Sequence, residues 1–358
     1  MKAFITEWFV LIVLSFVLSG LMSFTNAADK EKTFSVSKGD QLVVSVSNGN
    51  ITISPWNKDQ AHITAKNIDE DDLNDLKIEQ HGNKVIVEFN GQDSDDFVLE
   101  VFLPENFNLD LSSGAGNITF NGKILGKVDV STGGGNVKLQ DVGDRLSVST
   151  GGGNISVGNI FAETEIVTGG GNINIGDIKS RAEVSTGGGN ISIGNIGGNV
   201  EVSTAGGIIS VGKVTGNAEL STAGGNINLE GASGKVEVST AGGNINLKNI
   251  SGSVDGNTAG GNIVVELNSN ITGNCELNTG GGDISLTLPA DAKVGIDANV
   301  YVGKNVPESE ANKFIKSDFE EATVNFTKGG FNKKFLVNGG GSIIELNTAS
   351  GKIKINKK

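Results

Sequence analysis

Residues 185–202 read STGGGNISIGNIGGNVEV, and the six-residue phrase that opens this stretch returns through the middle of the chain. Its first residue recurs every 18 positions, at 131, 149, 167, 185, 203, 221, 239 and 257. Two looser copies, at 112–117 and 278–283, extend the series at both ends. A fixed period of this size indicates one supersecondary unit per repeat, stacked on its neighbours. Any function should therefore belong to a surface of repeated side-chain columns.

Apolar and polar residues alternate within each repeat, which is the pattern of a half-buried β-strand. In residues 185–202 this alternation predicts one strand over 190–193 and another over 200–204. A short third side is expected around Ile196. The glycine clusters between these segments are expected to form the corners, with positive φ angles.

The repeat contains no segment with helical spacing, so a βαβ architecture is excluded. The sequence predicts an all-β fold: a β-solenoid, similar to a parallel β-helix and right-handed, with 18-residue turns. We expect the solenoid to span residues 106–289. Non-repetitive β caps are expected over residues 28–105 and 290–358, because an open coil exposes strand edges that must be covered.

The two cap regions carry weaker signals of their own. In the N-terminal region, residues 50–53 look like a degenerate coil turn, and residues 69–76 are expected to contain a helical turn. In the C-terminal region, residues 307–319 form the one expected helix. Two further coil turns, over residues 338–342 and 347–355, are expected to close the chain.

The first 27 residues have the composition of a secretory signal peptide. A short positive start at Lys2 is followed by an apolar stretch from Trp8 to Met22 and by small residues ending at Ala27. This pattern predicts export with cleavage after Ala27 rather than anchoring in the membrane. The expected location is the periplasm, the cell surface or the medium, without membrane insertion after cleavage.

Three columns of side chains follow from the 18-residue register. The asparagine after each glycine cluster should form a hydrogen-bonded amide ladder, interrupted at Ile208 and ended by Asp283. The threonine at the second position of each phrase should pack its methyl group inside the coil. Cys275, the single cysteine, falls on an inward position and is expected to be a buried packing thiol.

The third column is acidic and points outward, and it is the candidate site in the sequence. Its neighbouring carboxylates should repel one another. We interpret the column first as a solvated stripe that keeps the rod soluble. The second interpretation is a weak binding strip for divalent cations or a basic partner. The six residues expected to stack without interruption are Glu165, Glu183, Glu201, Glu219, Glu237 and Asp255.

Composition excludes several function classes. The formal charge of −13 argues against binding to nucleic acid or to anionic membranes. The sequence contains no nucleophile elbow, P-loop or HExxH motif. A calcium-binding nonapeptide roll is disfavoured because asparagine, not aspartate, follows the glycines. A sugar-stacking platform has weak support, since Trp56 and Tyr301 are the only residues of their types after residue 27.

The GGGNI turns, the export signal, Gly339-Gly-Gly and Gly351-Lys-Ile-Lys-Ile together resemble the bacterial putative-adhesin family DUF4097. The related adhesin-head group named after its Gly, Ile and Asn residues is the near alternative. The resemblance covers roughly residues 33–358 and implies a β-solenoid outside the cytoplasm. The family offers no catalytic residues to carry over and implies no cofactor.

Together these signals predict an exported, non-enzymatic β-solenoid that acts as an adhesin or extracytoplasmic interaction module. Its partner is expected to be an unidentified extracellular or envelope component. A periplasmic envelope-stress scaffold or sensor remains an alternative. A polysaccharide-acting β-helix enzyme is the alternative of another class, which would require ionisable groups converging in one cleft.

Overall fold

The computed structural model describes residues 28–91, 96–269, 271–303, 307–327 and 329–358. The predicted signal peptide, residues 1–27, lies outside these ranges. The described chain folds as a nearly all-β coil in which two long sheets of mainly parallel strands are stacked turn by turn. The predicted β-solenoid is therefore confirmed.

Within the described ranges, sheet 1 contains sixteen strands. In spatial order these are β1 (Ala28–Ser35), β4 (Gln60–Ile68), β7 (Val98–Pro104), β3 (Asn50–Trp56), β9 (Ile118–Phe120), β11 (Val137–Leu139), β13 (Ile155–Val157), β15 (Ile173–Ile175), β17 (Ile191–Ile193), β19 (Ile209–Val214), β21 (Ile227–Ala232), β23 (Ile245–Ile250), β25 (Ile263–Leu267), β27 (Ile284–Leu288), β33 (Ile353–Lys357) and β29 (Ile315–Ser317).

Sheet 2 carries the other side of the coil, with each strand hydrogen-bonded to the next in the order given. The strands are β5 (Leu76–His81), β6 (Lys84–Phe89), β2 (Gln41–Val46), β8 (Asn108–Ser113), β10 (Val128–Thr132), β12 (Leu146–Thr150), β14 (Thr164–Thr168), β16 (Ala182–Thr186), β18 (Val200–Thr204), β20 (Ala218–Thr222), β22 (Val236–Thr240), β24 (Val254–Thr258), β26 (Cys275–Thr279), β32 (Ser342–Thr348), β28 (Val294–Tyr301), β31 (Gly330–Val337) and β30 (Glu321–Thr327).

The predicted third side is present as a row of parallel bridges. Ile160 pairs with Ile178, Ile178 with Ile196, and Ile196 with Val214. Among the described residues, helix is confined to the caps. A 3-10 turn at Glu70–Asp72 matches the expected helical turn, whereas the helix expected over 307–319 is mostly wrong.

In that C-terminal segment, a 3-10 turn at Glu308–Glu310 leads into the four-residue helix α1 (Ala311–Phe314). The chain then becomes extended, because β29 pairs in parallel with β33 and buries Ile315 in the core. Pairing with an exposed strand edge has overridden the local helical preference.

At the N-terminal end, the order of coil turns in space differs from their order in sequence. Strands β2 and β3 form one turn, which lies between the turn made by β6 and β7 and the turn made by β8 and β9. The turn foreseen at 50–53 is thus a full member of the coil. The parallel coil extends into the region 28–105 that the sequence assigned to a cap.

The C-terminal end repeats this arrangement. Strands β32 and β33 form a single turn that lies between the β26–β27 turn and the β28–β29 turn. The prediction of two separate turns at 338–342 and 347–355 is therefore wrong. The first segment leads into β32, and the second joins β32 to β33 within the same turn. The antiparallel strands β1, β4, β5, β30 and β31 form the remainder of both ends.

The apolar columns form one continuous core. Within one turn, Ile191 and Ile193 on sheet 1 and Val200 and Val202 on sheet 2 are all buried, while the residues between them face outward. Each turn stacks these residues in register on the next turn. A single turn could bury little surface alone, so the stack as a whole stabilises the fold.

The corner glycines have a different role from the predicted one. Positive φ occurs at other glycines, such as Gly39, Gly49 and Gly339, and not at the repeat corners. The third glycine of each phrase is required by contact between turns: a Cβ atom at Gly171 would lie 2.0 Å from the carbonyl oxygen of Gly153. At the middle glycine, Gly170, a Cβ would meet nothing within 4 Å.

The threonine column is buried as predicted, and its hydroxyl groups add hydrogen bonds that the pattern did not reveal. The Thr168 hydroxyl donates to the carbonyl oxygen of Gly153 in the preceding turn, at 2.9 Å. It also accepts from the backbone N–H of Gly171, at 3.3 Å. Each threonine therefore closes its own corner and joins it to the turn before.

The asparagine ladder is confirmed. Oδ1 of Asn154 accepts the backbone N–H of Asn172 at 2.9 Å and its side-chain amide at 3.2 Å. At the predicted interruption, Ile208 still donates its backbone N–H to Asn190. At the end of the ladder, Asp283 accepts the backbone N–H of Lys352, so the ladder continues onto the turn that is last in sequence.

Candidate functional site

The six predicted carboxylates lie in one column on the outer face of sheet 2. Glu165 stands opposite Glu183, Glu183 opposite Glu201, and Glu201 opposite Glu219. Glu237 and Asp255 continue the series on β22 and β24. Paired parallel strands lie about 4.8 Å apart, so each side chain except Glu165 has a like-charged neighbour on both sides, and Glu165 stands between Ser147 and Glu183.

The column continues further than the six predicted residues. Asp255 stands opposite Glu276, Glu276 opposite Glu345, and Glu345 opposite Asp297. Neither Glu345 nor Asp297 follows the 18-residue period, and the turn that carries Glu345 is inserted between turns that precede it in sequence. We call this set of stacked residues the acidic column. In spatial order it consists of Glu165, Glu183, Glu201, Glu219, Glu237, Asp255, Glu276, Glu345 and Asp297.

Basic residues neutralise only parts of the acidic column. Guanidinium groups lie 3.8 Å from the nearest carboxylate oxygen in the pairs Arg145–Glu165 and Arg181–Glu183. At the far end, Lys334 lies 3.0 Å from Asp297. All of these side chains are well exposed except that of Asp297, so each pair adds little to stability.

The carboxylates of the acidic column affect the ionisation of a nearby lysine, Lys235. Its ammonium group donates a hydrogen bond to Glu237. This bond, followed by the charges of Glu237, Asp255 and Glu219, raises the pKa of Lys235 above its usual range. The carboxylates of neighbouring turns thus act together on one cation.

The carboxylates do not converge. Over the described residues, no group of three or more His, Cys, Asp or Glu side chains is arranged to hold a metal ion. A cleft of about 290 Å³ is lined by Lys235, Asp255, Glu276 and Glu345, but it is shallow and lies along the face of the rod. The arrangement offers a linear row of charges one turn apart, which suits an extended partner.

A second amide ladder runs beside the acidic column at its C-terminal end. The side-chain amide of Asn278 donates to Asn257 at 2.9 Å, that of Asn347 to Asn278 at 2.8 Å, and that of Asn299 to Asn347 at 2.9 Å. Sequence reasoning missed this ladder because two of its members, Asn347 and Asn299, join it only through the inserted order of turns. The signal available was the change from Ser to Asn at the first phrase position, beginning at Asn257.

Cys275 is buried on the core side of this region, as predicted, with 3% of its surface exposed. Burial raises the pKa of its thiol, which keeps the sulfur in its less reactive protonated form. Among the described residues, no helix has both the length and the apolar character needed to cross a membrane.

Comparison with known proteins finds a family model that matches part of the chain. The family model described as Toastrack DUF4097 matches residues 181–356. No curated protein matches the chain. Among solved structures, a putative adhesin from Parabacteroides distasonis shares 16% identity, covering 67% of this chain and 95% of its own, with a TM-score of 0.32.

A second solved structure, a putative adhesin from Parabacteroides merdae, shares 13% identity and covers 73% of this chain and 92% of its own, with a TM-score of 0.34. The family model covers the later repeats, the acidic column from Glu183 onward and the inserted turn. Residues 181–356 match the Toastrack DUF4097 family model, so this part of the chain is similar to that family.

Proposed function

We propose that this protein is an exported, non-enzymatic adhesin, an interaction module that works outside the cytoplasm. The observation that carries the proposal is the organisation of the polar side chains in separate columns along a rod. A partner would contact many turns at once, and each turn adds a similar increment to binding. Such a surface suits an extended extracellular or envelope component.

The same organisation argues against the polysaccharide-acting enzyme. Acid–base catalysis requires two or more groups held around one reacting atom. In the described part of the chain, the acidic column places one carboxylate on each turn, all on one flat face. Neighbouring positions carry Arg145, Arg181 and Lys235 at intervals of two and three turns rather than as a cluster.

The proposal is tested by locating the chain in its native bacterium. Intact cells are treated with a biotinylation reagent that cannot cross the envelope, before and after the outer membrane is permeabilised. Labelling of intact cells, together with reduced adherence of a deletion strain, is the expected result. Labelling only after permeabilisation would favour the periplasmic scaffold or sensor, and recovery in the cytoplasm would overturn export.

Weak binding of divalent cations along the acidic column is a further part of the proposal. Neighbouring carboxylates repel one another, and an ion between two turns would relieve this repulsion. The hydrogen bond from Lys235 to Glu237 and the raised pKa of Lys235 support this part of the proposal.

A further inference from the structure

Three aromatic rings that are distant in sequence form one patch on the outer face of sheet 1, near its N-terminal end. The rings belong to Trp56 at the end of β3, His62 in β4 and Phe102 in β7. Ring centroids lie 5.6 Å apart for Trp56 and Phe102, 6.2 Å for Trp56 and His62, and 6.4 Å for His62 and Phe102. We call these three residues the aromatic patch.

Polar contacts hold the aromatic patch in place before any ligand arrives. The indole N–H of Trp56 donates to the carbonyl oxygen of Gln60 at 2.7 Å. The two ring nitrogens of His62 lie 2.8 Å from the hydroxyl of Thr33 and 3.3 Å from that of Thr64. Rings fixed in this way lose little conformational freedom on binding, which favours affinity.

The rings remain accessible. Phe102 is 37% exposed, although it lies in a strand whose neighbouring residues on the core side are fully buried. The Lys58 ammonium lies 4.6 Å from the centre of the Trp56 ring, where it supplies a hydrogen-bond donor beside the indole. The patch thus combines exposed apolar ring surface with polar groups at its edge.

One ion pair lies beside the patch. Lys66 and Glu100 lie on the same outer face and form an ion pair at 2.7 Å. The hydrogen bond from Lys66 to Glu100 raises the pKa of Lys66, so the ammonium group stays charged and paired. In contrast to the acidic column, this face presents the Thr33 hydroxyl, the Lys58 ammonium and a compensated ion pair to a ligand.

We propose that the aromatic patch binds a neutral carbohydrate, with pyranose C–H groups packed on the rings and sugar hydroxyls bonded to the surrounding polar groups. A sugar is amphipathic in the same way as the patch, because apolar and hydrogen-bonding surfaces alternate over a few ångströms. Because Lys66 is compensated by Glu100 and Lys58 is engaged with the Trp56 ring, the patch favours a neutral chain over an anionic one. The proposal gives the adhesin a ligand, and it depends on the proposed function only for access to glycans outside the cell.

The test is isothermal titration calorimetry of the full chain with three neutral probes: maltohexaose, cellohexaose and chitohexaose. Binding of at least one probe is expected, with affinity falling about tenfold or more in Trp56→Ala and in Phe102→Ala, as for other aromatic stacking sites. Tyr301→Ala is the matched control, since Tyr301 is 59% exposed and lies on sheet 2. It should bind the probe as the wild type does.

Melting temperatures of the same variants distinguish binding from structure. Cross-strand aromatic contacts also stabilise sheets, so a purely structural patch would change the melting temperature while leaving sugar affinity unchanged. That result, or no binding of any neutral probe, would overturn the proposal. A concentration-dependent dimer that Trp56→Ala abolishes would instead assign the patch to a contact between two copies.

The outcomes also separate this proposal from the proposed function. If adherence and surface labelling persist in Trp56→Ala while no sugar binds, the adhesin proposal stands and the carbohydrate site is wrong. If sugar binds in solution but the chain is found in the cytoplasm, the site stands and export is wrong.

Discussion

Replacing the third glycine of one repeat by alanine should destabilise the protein, whereas replacing the glycine beside it should not. The pair is Gly171→Ala and Gly170→Ala, both at one corner of the coil. A Cβ at Gly171 would lie 2.0 Å from the carbonyl oxygen of Gly153 and 2.4 Å from its carbonyl carbon. Carbon–oxygen contacts between strands are normally about 3.3 Å or longer, so the two turns must separate by about 1.3 Å.

That separation would strain several inter-turn hydrogen bonds at once. Thr168 donates to Gly153, and Asn172 donates to Asn154, both at 2.9 Å. Losing one such bond costs about 1 kcal/mol, and overpacking adds about 1–3 kcal/mol. We expect Gly171→Ala to lower the free energy of unfolding by about 2–4 kcal/mol, and Gly170→Ala to leave it unchanged or raise it by up to about 1 kcal/mol.

The assay is urea unfolding of both variants and the wild type, with far-ultraviolet circular dichroism as the signal. Because a long coil can unfold in parts, the transition midpoint and slope are compared directly. The natural variation among the repeats is consistent with this explanation. Within the glycine cluster, alanine occupies the middle position at Ala115 and the first position at Ala205, but the third position is glycine in every copy. Equal midpoints for the two variants would refute the close-contact explanation.

Three further predictions test the coil and its acidic face. Ile193→Asp should lower the melting temperature far more than Ser192→Asp, because it buries an unpaired carboxylate; similar melting temperatures would contradict the register. Deleting residues 185–202 should leave a folded protein by circular dichroism, whereas deleting nine residues should not, because corners would then oppose strands. Millimolar calcium should raise the melting temperature more than NaCl of equal ionic strength, and glutamine substitutions in the acidic column should remove the difference. The substituted residues are Glu183, Glu201 and Glu219. A calcium effect no larger than that of NaCl would leave the column as a solvated stripe.

The repeat by itself was sufficient to predict the middle of the molecule. Period-two alternation in residues 185–202 gave both strands and the bridge at Ile196, since one face of each strand must be buried. Strict 18-residue spacing also placed Glu165 through Asp255 in one column and predicted the asparagine ladder. Stacking identical units transfers the local pattern of one turn directly to the whole rod.

Sequence analysis missed those members of the acidic column whose neighbours in space are not their neighbours in the repeat. Glu345 and Asp297 join the acidic column only because β32 and β33 are inserted before β28 and β29. The reason for the third glycine, exemplified by Gly171, is a distance between turns and not a local φ angle.

What the sequence alone determined is the local periodicity: strand positions, inward and outward faces, and the columns that follow from them. Tertiary structure decided the order in which non-repetitive turns stack at each end and the meeting of Trp56, His62 and Phe102 in one patch. The physical reason is that strand alternation depends on neighbouring residues, whereas the choice of strand partner depends on which hydrogen-bonding edges remain open once the chain has folded.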